Sequence, residues 1–503
     1  MPDSKSTRFI CVTGLPGSGK SYFAIRLAQA LGAKHLNSDR IRTKLGLRGS
    51  YDLESKKLVY DQLLLETKNE LEKGKSVVLD STFYQANVRQ PFMELGESLG
   101  APIFWIEVHA KEEVIKDRIA KQRPYSQADF QVYQSIRDRY EALDRIDLKL
   151  ASDQFSPDEM IEQTKTSLGM MTSAGVRDIL TRKALPDSVS NPGFIETHAS
   201  WILLSDNYAF KVKKPVHFSF MDFSTLARRK HFCYREIELN RRLTSGMYLD
   251  VIPIRKGEKG PYIGESDDEI IDYSVQLKRM DESLRMENLL HSGGIETTGI
   301  ERIAHQLATF HQNAEIIRKT WDISTAQLDF YDLKKVRPFI AKQFGRKKTE
   351  LFDRILLRAN QFLTRMGSRF VERAEAGFIR DGHGDLHSGN IFMYPEPILF
   401  DCIEFNDHFR QLDLLDELAF LCMDLEFHGF PDLASHLIDS YEQYFRVRTD
   451  PDDQLIFNYF KMYRANVRLK VTVLKDQENP SAEDLVRIQS YLELLDNYSN
   501  LLK

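Results

Sequence analysis

The sequence predicts an α/β protein in two parts: an N-terminal three-layer domain around a parallel sheet, then an α+β domain with two lobes. Two stretches carry this prediction. The first is FICVTGLPGSGKS, in which a strand-like run passes through a glycine-rich loop into a helical pattern. The second is HGDLHSGNIFMYPEPILFDCIEFND, residues 383–407, where two short apolar runs flank Pro395-Glu396-Pro397 and predict a hairpin.

Length and composition set the class of protein. The chain has 503 residues, of which 42% are hydrophobic and 28% charged, as expected for a soluble protein of two to four domains. No apolar run approaches the roughly 18 residues of a membrane span, and no signal-like core precedes the first motif, so we expect a cytoplasmic protein with no membrane partner. Four scattered cysteines argue against a disulfide framework and structural zinc.

The first strand leads into a phosphate-binding loop. Phe9–Thr13 is apolar, and after Ser21 apolar residues recur every four positions, which predicts a helix with one buried face. Strand, G-x-x-x-x-G-K-S loop and helix together indicate a P-loop, whose backbone N–H groups and helix N-terminus hold phosphates. We predict that Lys20 bridges the β- and γ-phosphates and that Ser21 Oγ ligates Mg²⁺. The predicted ATP-binding loop is Gly14, Leu15, Pro16, Gly17, Ser18, Gly19, Lys20 and Ser21.

Two further stretches place acids near this loop. A short strand ending near Leu36 would deliver Asp39 beside the phosphates, with Arg42 one helical turn away. Asp80 ends a second apolar strand, the position of a Walker-B-like metal-binding acid. From the residues alone, Asp39 is also a candidate helix N-cap and Asp80 a candidate strand-end cap.

Arg118 and Arg123 lie on and just after the next predicted helix, where they would close over ATP phosphates or form a solvated helix face. With GLPGSGKS, NSDRIR and VVLDST, they resemble the small P-loop kinases of the AAA family of ATPases, in particular polynucleotide-kinase-like, zeta-toxin-like and gluconate-kinase-like proteins. The resemblance covers most of residues 8–150. It implies that Asp39 accepts the proton of a substrate hydroxyl, that Arg42 contacts the substrate, and that both arginines contact the phosphates.

The predicted domains are residues 1–165, a polar linker over residues 166–190, and a second domain over residues 191–503. In the second domain, Ala209-Phe210-Lys211 resembles the A-x-K that ends a protein-kinase strand. Lys211 is therefore the predicted phosphate-contacting lysine, and Lys213, on the same strand face, competes for that role. A predicted helix over residues 228–243 carries Glu236, which would pair with Lys211 as in protein kinases.

The hairpin supplies the second set of acids. Asp385 and Asn390 have the spacing of the kinase loop H-R-D-x-x-x-x-N, and Asp401 follows the hairpin as a metal-binding Asp does. Because Gly384 replaces the Arg, the stretch resembles the aminoglycoside phosphotransferase (APH) branch. The resemblance covers about residues 190–430. It implies that Asp385 orients the acceptor hydroxyl, and that Asn390 and Asp401 hold Mg²⁺. Flanking histidines are predicted to orient the loop, with metal ligation as the alternative.

We therefore expect a bifunctional ATP- and Mg²⁺-dependent phosphotransferase, with each site transferring a γ-phosphoryl group to a hydroxyl-bearing substrate. One alternative is that one domain is an active kinase and the other a nucleotide-binding regulatory module. A second is a nucleic-acid 5′-hydroxyl kinase in the N-terminal domain. A net charge of −5 gives that reading no support.

Overall fold

The computed structural model describes residues 7–50, 52–121, 130–218, 220–475 and 480–502. The chain divides into two compact units. One unit comprises Met1–Tyr234 and Leu249–Arg279, and the other comprises Arg235–Tyr248 and Met280–Lys503. Among the helices of the described residues, none combines the length and apolar character that a bilayer crossing needs.

The first unit begins with a parallel sheet of five strands in the order β2-β3-β1-β4-β5. The strands are β1 (Phe9–Thr13), β2 (Lys34–Asn37), β3 (Val77–Asp80), β4 (Ile103–His109) and β5 (Leu148–Ala151). The helices around the sheet are α1 (Lys20–Leu31), α2 (Ser38–Lys44), α3 (Leu53–Glu72), α4 (Ala86–Ser98), α5 (Glu112–Ala120), α6 (Phe130–Arg137) and α7 (Pro157–Ser167). This parallel α/β domain agrees with the prediction for the N-terminal part.

Both faces of the parallel sheet are covered, as β1 shows. Ile10 and Val12 belong to the hydrophobic core that contains Leu27 of α1. Phe9 and Cys11 belong to the core on the opposite face. Because strand side chains alternate between faces, an uninterrupted apolar run such as FICVT is what a doubly covered strand requires.

A six-stranded sheet follows in the same unit, in the order β12-β11-β13-β8-β7-β6. Its strands are β6 (Gly193–Glu196), β7 (Ser200–Leu204), β8 (Tyr208–Lys213), β11 (Tyr248–Gly257), β12 (Gly260–Ile263) and β13 (Ile270–Lys278). The other elements are α8 (Ser173–Thr181), the hairpin β9 (His217–Phe218) with β10 (Met221–Asp222), and α9 (Leu226–Asn240). The pairs β6–β7, β7–β8 and β8–β13 are antiparallel.

The chain between the two sheets of the first unit forms the helices α7 and α8. The predicted linker over residues 166–190 contains α8, whose Val176 and Ile179 pack into the core of the six-stranded sheet. Met170 lies in the core beside α1, whereas Met171 already lies in the core of the six-stranded sheet. The end of α1 also touches the β9–β10 hairpin, since a Cβ atom on Gly32 would lie 3.1 Å from Cβ of His217.

The second unit is mainly helical. Its helices are α10 (Met286–Ser292), α11 (Thr297–Asn313), α12 (Ile323–Tyr331), α13 (Arg337–Glu375), α14 (Asp407–Arg410), α15 (Leu414–Phe427), α16 (Pro431–Glu442), α17 (Asp452–Lys475) and α18 (Ala482–Leu501). Its strands are β14 (Ile379–Asp381), β15 (Ile391–Phe392), β16 (Ile398–Leu399) and β17 (Gln411–Asp413). Every residue of α15 from Leu414 to Leu425 is buried, including three acids, so this helix forms the centre of the unit.

Candidate active sites

The phosphate-binding loop joins β1 to α1 at the carboxyl edge of the parallel sheet. Its glycines adopt backbone conformations that side chains would block. Gly14 has a φ of 146°, and a Cβ there would lie 2.2 Å from the carbonyl oxygen of Val108. Gly17 has a φ of 83°, and a Cβ there would meet Ile115 at 2.9 Å. The loop therefore needs glycine at both positions, as a backbone cradle for phosphates does.

Asp80 lies at the end of β3, and β3 pairs directly with β1. Its Oδ2 accepts a 2.6 Å hydrogen bond from Asn37 Nδ2, and His35 Nε2 lies 3.5 Å from the same oxygen. The Oδ1 atom is buried and accepts no hydrogen bond from the described residues. A buried carboxylate oxygen left unsatisfied beside a P-loop fits Mg²⁺ or a water bound to it.

The structure places Asp39 in the first turn of α2 and shows that it is not the N-cap. That position belongs to Asn37, whose Oδ1 accepts a 2.9 Å hydrogen bond from the N–H of Arg40. The capping alternative for Asp39 is therefore wrong. Arg42 lies in the last turn of α2 and is 7% exposed, and its Nη1 donates to the carbonyl oxygen of Ser50.

Arg118 lies against the phosphate-binding loop and not on a solvated face. Its Nη1 lies 3.5 Å from the carbonyl oxygen of Gly17 and donates to Ser152 Oγ at 2.8 Å. Ser152 Oγ in turn donates to the carbonyl oxygen of Ser18 at 2.5 Å. Sequence reasoning missed Ser152, although its position directly after β5 places it at the same sheet edge. Arg123 lies outside the described residues.

The two candidate lysines lie on β8 as predicted, with different surroundings. Lys213 is fully buried, and its Nζ lies 4.8 Å from the ring centre of Phe223. Lys211 is partly exposed, and its strand neighbours are Ile202 and Val275. Glu236, on the part of α9 that belongs to the second unit, is fully buried.

The predicted hairpin is confirmed, with β15 and β16 paired from Ile391↔Leu399 to Phe392↔Ile398. Asn390 Nδ2 donates to the Asp385 carboxylate at 3.1 Å and to its carbonyl oxygen at 3.0 Å. The N–H of Phe400 donates to the carbonyl oxygen of Asn390 at 3.0 Å, which brings the neighbouring Asp401 to the same end of the hairpin. Asp401 has a φ of 65°, a left-handed conformation that costs energy for a side chain other than glycine.

The histidines beside Asp385 orient the loop, as predicted. His383 Nε2 contacts the carbonyl oxygen of Phe400 at 2.9 Å, and its Nδ1 accepts from the N–H of Asp385 at 3.2 Å. Burial lowers the pKa of His383, so the ring is neutral and both nitrogens are used within the loop. His387 Nδ1 accepts from the N–H of Gly389 at 3.1 Å. These contacts disfavour the alternative of metal ligation.

The Asp385 carboxylate is held in its ionised form. Burial raises its pKa, but the charges of His387 and Arg468 outweigh that effect, and the pKa lies well below its ordinary range. An ionised carboxylate at neutral pH can accept a hydrogen bond from an acceptor hydroxyl. Asp385 is therefore charged as an orienting group must be.

Three buried groups behind the loop escaped sequence reasoning. Glu417 accepts from the N–H of His383 at 2.7 Å, and Asp424 accepts from the N–H and the Oγ of Ser388 at 2.8 and 2.5 Å. Arg464 of α17 donates to the carbonyl oxygen of Gly384 at 3.3 Å. The signal in the sequence is the presence of acids inside the apolar run LLDELAFLCMDLEF. Buried carboxylates require partners, and the partner of such an acid can be a distant arginine such as Arg464.

Comparison with known protein families matches the N-terminal part of the chain. Residues 9–143 match the model of the AAA domain family. This segment covers β1 to β4 and the phosphate-binding loop. The remaining residues of the chain lie outside that match.

Curated relatives match part of the chain. An uncharacterized protein of Mycobacterium tuberculosis is 32% identical over 308 residues, 58% of this chain and 57% of that protein. An adenylate kinase of Elusimicrobium minutum is 33% identical over 127 residues, 23% of this chain and 58% of that enzyme. The chain thus spans little more than half the length of these relatives.

Solved structures align with about a third of the chain. A sugar kinase from Janibacter sp. is 24% identical with a TM-score of 0.27, and the alignment covers 32% of this chain and 94% of that kinase. The APS kinase of Mycobacterium tuberculosis, solved with AMPPNP and APS, is 18% identical with a TM-score of 0.27, covering 32% and 98%. The family match and the loop geometry together show that residues 9–143 form a parallel-sheet α/β domain that resembles P-loop kinases.

Proposed function

We propose that the protein is a bifunctional phosphotransferase with two ATP·Mg²⁺ sites, each transferring a γ-phosphoryl group to a hydroxyl. The observation that carries the proposal is the unsatisfied Oδ1 of Asp80 at the sheet edge that presents the phosphate-binding loop. Phosphoryl transfer from ATP requires a glycine-rich loop that binds the phosphates and, beside it, a carboxylate that can bind Mg²⁺.

At the N-terminal site, Lys20 contacts the β- and γ-phosphates, while Ser21 and Asp80 hold Mg²⁺, which neutralises phosphate charge when bound. The oxygen of the substrate hydroxyl attacks the γ-phosphorus, and Asp39 accepts the proton that this hydroxyl loses. The bond to the β,γ-bridging oxygen breaks, and ADP leaves. Arg42 contacts the substrate, and Arg118 lies beside the phosphates. Positioning of the reactants and neutralisation of the phosphate charge provide most of the rate enhancement, because the transition state of phosphoryl transfer is loose.

At the C-terminal site, Asp385 orients the acceptor hydroxyl, and Asn390 and Asp401 hold Mg²⁺. The hydrogen bond between Asn390 and Asp385 supports this assignment, because it fixes the amide and the carboxylate side by side. The order of elements also supports a kinase-like reading of the APH type: a strand with Lys211, a helix with a buried Glu236, and then the hairpin.

A regulatory role for the N-terminal domain is the second candidate, and one contact favours it. Helix α1 begins at the phosphate-binding loop and ends at Gly32, against His217 of the hairpin that follows β8. A nucleotide that shifted α1 would thus move the hairpin that follows β8 of the six-stranded sheet.

The test uses the full chain and its Lys20→Ala, Asp385→Ala and double variants, with Lys57→Ala on the exposed face of α3 as the matched control. Transfer of the labelled γ-phosphate is measured against a panel of hydroxyl-bearing metabolites and nucleic-acid 5′ ends. We expect two transfer activities, each lost with one variant and unchanged in the control. A single activity that ATP at the other site tunes would establish the regulatory role instead, and no transfer to any acceptor would refute both.

A further inference from the structure

Two arginines share the carboxylate of Asp381, which lies at the end of β14, shortly before Asp385 in the chain. Arg242, which follows α9, donates from Nη1 to Asp381 Oδ1 at 2.6 Å. Arg410, at the end of α14, donates to Oδ1 at 2.8 Å and to Oδ2 at 3.0 Å. Asp381 is 6% exposed, and Arg410 is fully buried. Three charged groups therefore meet where little water reaches them.

The charge of Asp381 allows the two arginines to lie side by side. Burial raises the pKa of Asp381, but the hydrogen bonds and charges of the two arginines outweigh that effect and lower the pKa below its ordinary value. Arg410 also pairs with Asp407, at 2.6 Å. Asp381 is the only carboxylate among the described residues that pairs with Arg242. Without its negative charge, two guanidinium groups of like charge would share one neutral acceptor.

Both arginines also bond the backbone just before Asp385. Arg242 donates from Nη2 to the carbonyl oxygen of Gly382 at 2.8 Å. The N–H of Gly382 donates to the carbonyl oxygen of Arg410 at 3.0 Å. The segment that leads into Asp385 is therefore held from two sides.

Arg410 holds the segment after the β15–β16 hairpin as well. Its Nη1 donates to the carbonyl oxygen of Ile403 at 2.9 Å. The N–H of Ile403 in turn donates to the carbonyl oxygen of His383 at 3.0 Å. The segments before and after the hairpin are thus joined to each other and to the same carboxylate.

Asp401 needs such support, because its left-handed backbone persists only where the surroundings hold it. Its N–H donates to the hydroxyl of Tyr248 at 3.1 Å. The N–H of the next residue, Cys402, donates to Asn240 Oδ1 at 2.9 Å, and Cys402 Sγ lies 3.5 Å from Arg242 Nη2. Arg242 thus reaches the segment on either side of the hairpin.

We infer that Asp381 is a positioning residue for the C-terminal site. Through its two arginines it fixes Asp401, a proposed ligand of Mg²⁺, relative to Asp385, which orients the acceptor hydroxyl. The inference rests on the proposed function of this site. Groups that orient metal ligands from outside the first shell typically contribute about 10- to 100-fold in metal affinity or activity. A misplacement of about 1 Å that arises away from the chemistry can cost about 10²-fold in rate.

The test uses the full chain with Lys20→Ala, which removes the predicted phosphate contact of the N-terminal site, so that nucleotide binding reports the C-terminal site. Asp381→Asn keeps the size of the side chain and removes its charge. Arg242→Gln is a second variant that should fold, because the Arg242 side chain is 28% exposed and Arg410 stays paired. The control is Asp453→Asn. It also removes a buried carboxylate that pairs with two arginines of the second unit, but those arginines lie on α13.

Binding of the ATP analogue AMPPNP is measured by calorimetry over a series of Mg²⁺ concentrations. We expect the Mg²⁺ concentration at half-maximal binding to rise about tenfold in Asp381→Asn and in Arg242→Gln, and to stay unchanged in the control. An equal rise in Asp453→Asn would assign the effect to general loosening of the fold and overturn the inference. An unchanged Mg²⁺ dependence in both Asp381→Asn and Arg242→Gln would also overturn it.

Hydrogen exchange of the metal-free protein gives a readout that needs neither nucleotide nor transfer. We expect faster exchange at the N–H groups of Gly382 and Ile403 in both variants, and no change there in the control. If the protein without these substitutions binds no Mg²⁺ and nucleotide at this site, the proposed function fails, and exchange alone decides whether Asp381 fixes the two segments. Unchanged exchange at both N–H groups would then refute the inference. Normal nucleotide binding with unchanged exchange would refute it while the proposed function stands.

Discussion

Asn37 joins the two acids of the N-terminal site, because its Nδ2 donates to Asp80 Oδ2 at 2.6 Å. Its Oδ1 accepts from the N–H of Arg40 and so starts the helix that carries Asp39. The buried amide of Asn37 thus orients Asp80, the proposed metal ligand, and fixes the first turn of the helix that carries Asp39, the proposed base.

We expect Asn37→Ser to lower the free energy of unfolding by about 1–3 kcal/mol, because Asp80 Oδ2 loses its donor inside the protein. In the Asp80→Ala background the same change should cost less than about 0.5 kcal/mol, since serine caps a helix about as well as asparagine. Urea unfolding of the four proteins measures this coupling. An equal cost in both backgrounds would show that the contact is energetically neutral.

For Asp39, we expect Asp39→Asn to reduce N-terminal turnover by roughly 10²–10⁴-fold, because the amide cannot accept the substrate proton. ATP affinity should stay within a few-fold, since the side chain is proposed to meet the acceptor and not the phosphates. Single-turnover kinetics and nucleotide titration separate these effects. Weaker ATP binding with full turnover at saturation would instead assign Asp39 to the nucleotide.

At the C-terminal site, we expect Asp385→Ala to abolish transfer while nucleotide binding persists, because Asn390 and Asp401 still hold Mg²⁺. Asp401→Ala should weaken both metal and nucleotide binding. Neither change should alter the N-terminal rate by more than the effect of a typical allosteric coupling, about 1–3 kcal/mol. Nucleotide titration at several Mg²⁺ concentrations tests the contrast, and identical behaviour of the two variants would contradict these roles.

Asp453 anchors the start of α17 with two arginines. Arg369 contacts it twice at 2.9 Å, and Arg373 lies 3.1 Å away. Burial raises the pKa of Asp453, but these partners and the N–H groups of Thr449 and Asp450 outweigh it and lower the pKa to about 2. A lowered pKa in the folded state stabilises the protein above the ordinary value of 3.8, and this contribution is lost as the pH falls toward 2.

We expect Asp453→Asn to cost about 1.5–3 kcal/mol at neutral pH, because both arginines lose a charged hydrogen-bond acceptor while Arg373 keeps its pair with Asp413 at 2.7 Å. The difference in unfolding midpoint between wild type and variant should stay constant from pH 8 to 5 and shrink below about pH 4. Urea unfolding across this range measures it. Asp432→Asn, at an exposed position on α16, should show no such trend, and a difference that grew on acidification would reverse the sign argued here.

The sequence could predict the sites that short motifs encode. The loop from Gly14 to Ser21 and the hairpin after Asp385 carry their predicted chemistry within a few consecutive residues, so the spacing alone was enough to propose them. The identity of the α2 cap could not be predicted in this way. Asn37 and Asp39 are equally good caps, and only the point where β2 ends decides between them.

Residues that support the two candidate sites from distant positions in the sequence could not be predicted either. Ser152 contacts Ser18 across 134 residues, and Arg464 contacts Gly384 across 80 residues. Such pairs arise from the packing of whole elements, so no local pattern identifies them. The local pattern shows that the acids of α15 need partners, but it does not show which residues those partners are.

Met170 and Met171 are neighbours in the chain but belong to two different hydrophobic cores. A single peptide bond therefore spans the boundary, and because that bond is rigid, the only soft torsions between the cores are ψ of Met170 and φ of Met171. The two cores are therefore held within one residue of each other at this point, although these two torsions leave them free to pivot. Inserting a few flexible residues between Met170 and Met171 would let the two sheets move apart as well as pivot.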